Sequence, residues 1–157
     1  APIDFANLPQ FFDALSLMYR VTTRLAAVNR TEEELAAIWE LQHRYTQAVD
    51  VKDVPAMIEV NRNFHAAIAR AGKNRYYTDL FIRLLDEGRR LLRLYYSSYN
   101  DRLPKIYLQE HEVMLAAIEA QDIDAADRIA QAHAEQIVRQ IQSAMTEDRR
   151  LNSGISL

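Results

Sequence analysis

Apolar side chains return every three or four positions along nearly the whole chain, a period that helices satisfy and strands do not. In the first stretch Leu15, Met18, Tyr19, Thr22, Leu25 and Ala26 fall in one stripe. In the second, Leu35, Ile38, Trp39, Gln42, Tyr45 and Val49 do the same. Residues that interrupt helices are scarce, with 3 Gly and 4 Pro in 157 residues. The few that occur fall at sensible places. Leu8-Pro9 suits a helix start, because Pro lacks only a donor that the first turn cannot use. Asn29-Arg30 closes that helix, and Thr31-Glu32-Glu33-Glu34 has the capping-box form that opens the next. Asp53 caps a third helix with Pro55 in its first turn, and Gly72 is placed to stop it.

A long fourth helix follows Asn74, with Phe81, Leu84, Leu85, Gly88, Leu92 and Tyr95 on its inner face. Gly88 leaves room there for a close neighbour or a ligand. Ser97-Ser98-Tyr99-Asn100-Asp101 breaks the pattern. A fifth helix from Pro104 aligns Leu108, His111, Leu115 and Ile118. After a turn at Gln121-Asp122-Ile123-Asp124, a sixth aligns Ala126, Ile129, Ala130, His133 and Ile137. Short connections between such helices make an all-α antiparallel bundle of six to seven helices. Residues 1–7 read as a tether, 8–148 as the folded domain and 149–157 as a frayed tail. The chain opens Ala1-Pro2-Ile3-Asp4 without an initiator Met, which fits a piece of a longer protein.

The formal net charge of -3 argues against a chain whose own main task is holding nucleic acid. With no Cys, disulfides, thiolate metal sites and cysteine nucleophiles are excluded. No apolar run is long enough to span a bilayer and no signal peptide is visible, so a cytoplasmic location is expected.

The chemistry concentrates on the histidines. Asn61 and His65 lie four residues apart on an inward face with Met57, Phe64 and Ile68, and His111 and His133 sit on the apolar stripes of later helices. A single inward histidine is usually a satisfied core residue. Three of four histidines sharing the habit, on three helices, equally suit a divalent metal such as Zn or Ni. His43 falls at the edge of its stripe and reads as surface. Glu40 and His43 form one Glu-x-x-His pair, but a di-iron bundle needs two such pairs. No catalytic triad, P-loop or dinucleotide turn is found.

Asn61-Arg62-Asn63-Phe64-His65, Ala71-Gly72-Lys73-Asn74, Glu110-His111 with Ala117-Ile118, Gln121-Asp122 with Ala126, and His133 occur in an order and spacing that resemble the C-terminal effector-binding domain (FCD domain) of FadR-type GntR transcription regulators. The resemblance covers roughly residues 10–145. It implies a six- or seven-helix bundle that follows a winged-helix DNA-binding domain absent from this chain. It further implies a homodimer, and a divalent metal completed by a small carboxylate effector. By position the metal ligands are Asn61, His65, His111 and His133. Two departures matter: Asn61 stands where the family usually has Asp, and Leu15-Ser16 stands where an arginine is expected. Around the implied cavity, Arg89 is placed to pair with a carboxylate, and Tyr19, Thr22, Tyr95 and Tyr99 put polar tips on apolar faces. The expected function is therefore a sensor and not an enzyme. The competing readings are a metal-dependent hydrolase on the three histidines and a metal-free dimerisation bundle.

Overall fold

The computed structural model describes residues 5–153, with side chains described from 6 to 148. The expected tether lies partly outside the described residues; its last part, Phe5–Asn7, forms a 3-10 turn. Seven α-helices follow, with no strand among the described residues. They are α1 (Leu8–Asn29), α2 (Glu32–Asp50), α3 (Val54–Ala71), α4 (Arg75–Glu87), α5 (Arg89–Ser97), α6 (Lys105–Glu119) and α7 (Ile123–Ser153). Helix α7 carries the backbone on to Ser153, and the final four residues of the expected tail lie outside the described residues.

The helix starts follow local chemistry. Thr31 accepts from the Glu34 backbone while the Glu34 carboxylate accepts from Thr31 N–H, a complete capping box. Asp53 and Asn74 cap α3 and α4 in the same way, accepting from Ala56 and Tyr77. The end of α6 is closed from a distance. The Arg30 guanidinium donates to the Glu119 carbonyl at 2.7 Å and, at 3.4 Å, joins the Gln121 N–H on the Ile118 carbonyl.

The single long fourth helix expected from the sequence is two helices. Gly88 ends α4 and begins α5, so seven helices form where the stripes gave six. The missing side chain at this break leaves room for Phe11: a Cβ at Gly88 would sit 3.2 Å from Phe11 Cζ. Gly72 also works through space. Its own φ is -73°, and the left-handed residue that turns the chain is Lys73 at φ 62°. A Cβ on Gly72 would lie 2.9 Å from Leu25 Cβ, so the glycine lets the end of α3 lie against α1.

Helix α1 is the hub, packing against α3, α4, α6 and α7. Arg20 and Asp127 bind α1 to α7 at 2.7 Å, and Arg62 and Asp86 bind α3 to α4 at 3.0 Å. The buried hydroxyls of Thr22 and Thr23 donate to the carbonyls of Met18 and Tyr19, so α1 keeps its inner face satisfied. This arrangement faces α3, α6 and α7 toward one another, each carrying one histidine.

Candidate metal centre

His65 on α3, His111 on α6 and His133 on α7 meet in the interior, all buried. Their ring centroids are 5.0, 5.1 and 5.4 Å apart, and one ring nitrogen from each lies within 4.8 Å of the others. Nitrogens that share a zinc sit roughly 3.0–3.4 Å apart, so closing on an ion takes an inward movement of at most about 1 Å per ring. Asn61 lies one turn before His65 on the same face and is 2% exposed. The fourth histidine, His43, is exposed, as its position in the stripe implies.

Two rings have their tautomers set by outer partners. Gln42 Nε2 donates to the Leu108 carbonyl at 3.3 Å, which turns Gln42 Oε1 toward His111 Nδ1 at 2.8 Å. A carbonyl oxygen only accepts, so Nδ1 carries the proton and Nε2 keeps its lone pair. The Glu110 carboxylate lies 3.3 Å from His133 Nδ1 and has the same effect. These are the outer-shell contacts that orient metal-binding imidazoles. Phe64 stacks on His111 at 4.2 Å, and Tyr19 packs edge-on to His65 at 4.8 Å and His133 at 5.6 Å. Burial holds His65 and His111 well below the usual histidine range, with neighbouring histidines adding to the effect. Both are neutral near pH 7, the form that ligates.

Three buried polar atoms have no hydrogen-bond partner among the described residues: His65 Nε2, His133 Nε2 and Asn61 Nδ2. An unsatisfied buried group costs about 1–3 kcal/mol. Orphans on two of the converging rings, and on the amide one turn from His65, fit a site able to hold an ion. A half-turn of the Asn61 amide exchanges Nδ2 for Oδ1 and offers an oxygen from that position. The donor set, three imidazole nitrogens and an amide oxygen, fits a borderline divalent ion.

The other expected site residues are more dispersed. Tyr19 stands in the site itself. Thr22 is buried beside it on α1, with its hydroxyl given to the Met18 carbonyl. Tyr95 donates to Gln136 Oε1 at 2.9 Å, and Gln136 Nε2 donates to the Tyr99 hydroxyl at 3.2 Å, forming a chain between α5 and α7. Arg89 is exposed and lines a surface groove with Arg90 and Arg93. Gln42 and Glu110 were not expected in the site. In the sequence Gln42 stands out only as a polar residue on a buried stripe. Glu110 neighbours His111 in sequence, but it serves His133.

The sequence matches the model of the family described as FCD domain over residues 10–136. Among solved structures, the chain is similar to E. coli McbR/YncC, with a TM-score of 0.81 at 20% identity, covering 90% of this chain and 70% of that one. At that identity the likeness establishes the fold. No curated protein sequence matches significantly.

Proposed function

This chain belongs to the FCD domain family, and from that membership we propose that it is the ligand-sensing domain of a GntR-type transcription regulator. It binds a divalent metal, Zn or Ni in class, through His65, His111 and His133, with Asn61 as the fourth donor. A small carboxylate effector completes the site. DNA is contacted by an attached winged-helix domain, and the regulator works as a homodimer in the cytoplasm, since paired half-sites call for a two-fold protein.

The observation that carries this reading is the meeting of three buried imidazoles from three helices, two of them with orphaned Nε2 atoms. When bound, the metal supplies a positive centre with an open position for an anion. The chain's own residues do the rest. Gln42 and Glu110 fix which nitrogens face inward. Phe64 and Tyr19 exclude water. Because α3, α6 and α7 each contribute a ligand, filling the site favours one spacing of these helices over another. Effector binding shifts the DNA-binding equilibrium only by its differential affinity for the two spacings. Glu110 supports a sensor over a hydrolase: its carboxylate is engaged by His133 instead of standing free beside a water position.

The test is metal analysis of protein purified without a histidine tag, with thermal melts in added Zn or Ni. The expected result is one metal per chain and a melting temperature that climbs with metal concentration, lost in His65→Ala and His133→Ala. Absence of metal and of any shift would leave a structural bundle.

A further inference from the structure

A second space adjoins the histidines. Phe11, Phe12, Leu84, Leu92 and Ile137 surround it, from α1, α4, α5 and α7, and no charged residue is among its lining. Tyr19 is the shared wall. Its ring packs on His65 and His133, and it also lines this space. Tyr19 is 2% exposed. The nearest arginine expected to meet a carboxylate, Arg89, faces the outside groove.

We propose that the effector is an apolar monocarboxylic acid, its carboxylate at the histidine end beside the Tyr19 hydroxyl and its hydrocarbon body among Phe11, Phe12, Leu84 and Leu92. This rests on the regulatory reading above. A single negative charge is met at one end only, by Tyr19 and by the cation that the histidines hold. A second carboxylate would be buried against hydrocarbon with no cation to pair it, which is strongly unfavourable. An alkyl or aryl body gains from the same wall, at about 0.8 kcal/mol per buried methylene. The free volume is about 20 Å³, space for one water-sized group, so the wall parts on binding. One wall is α5, a nine-residue helix joined to α4 at the Gly88 break.

The experiment is calorimetric titration of the zinc-loaded chain with hexanoate and 3-phenylpropionate, against succinate and malate. Zinc binding is measured separately for every variant. Hexanoate and 3-phenylpropionate are expected to bind at least about tenfold tighter than the two diacids. Tyr19→Phe, which removes only the hydroxyl, should weaken hexanoate by about tenfold. Leu84→Phe, which narrows the space, should weaken it at least as much with zinc affinity unchanged. Ile137→Phe, on another wall, serves if Leu84→Phe melts early. Diacids binding as tightly as the monoacids, or hexanoate indifferent to these substitutions, would overturn the assignment while zinc binding left the regulatory reading standing. Failure to bind zinc and all four acids would remove both.

Discussion

Gln42 touches no metal position, yet it decides how His111 presents itself. Its amide is held by the Leu108 carbonyl and in turn holds Nδ1. Gln42→Leu keeps the volume and removes the bond, so it should lower zinc affinity by about 10–100-fold, read by chelator competition, with helicity unchanged. Asn61 gives the complementary test. Asn61→Asp adds a charge that only a cation compensates, so the metal-free protein should melt lower and the metal-loaded protein higher than the parent. Metal-dependent stabilisation no greater than the parent's would remove Asn61 from the ligand set. At this scale the inward histidines were legible in the sequence because helical spacing put each on an apolar stripe. Their partners were not, because Gln42 lies 69 residues from His111 and Glu110 lies 23 from His133. Side chains that meet only after the helices pack leave no mark in local spacing.

Helix boundaries were legible wherever a side chain bonds its own helix. Thr31, Asp53 and Asn74 each cap as their residue type implies. Thr31→Ala should cost about 1 kcal/mol, measured by chemical denaturation. The glycines were harder to read. A glycine in a helical pattern is tolerated or breaks it according to what lies opposite, and Phe11 is far from Gly88 in sequence. Gly72→Ala puts a methyl group against Leu25 and the α1 backbone, so a loss of about 1–3 kcal/mol is expected. A thermal melt unchanged by that substitution would show that α1 and α3 do not need so close an approach.

For the whole molecule, the proposed metal binding would be a stability term. At a free metal concentration 100 times the dissociation constant, the folded state gains about 2.7 kcal/mol. A domain of this size gains about 2–4 °C per kcal/mol, so saturating zinc should raise the melting temperature by about 5–11 °C and a chelator should reverse it. The all-α architecture and the family were legible from periodicity and from short motifs in order. The apolar space beside Tyr19 was not, because its walls come from four helices whose relative placement no single stripe encodes.

Arg30 adds one mechanical consequence. It sits at the corner between α1 and α2 and grips the last carbonyls of α6, the helix that carries His111. Helix α2 leaves the same corner and carries Gln42 to the same ring. Two arms thus join His111 to a single corner beside the helix that leads the chain. If the proposed sensing holds, Arg30→Met should leave zinc affinity unchanged, read by chelator competition, while the gap in melting temperature between effector-bound and effector-free protein shrinks.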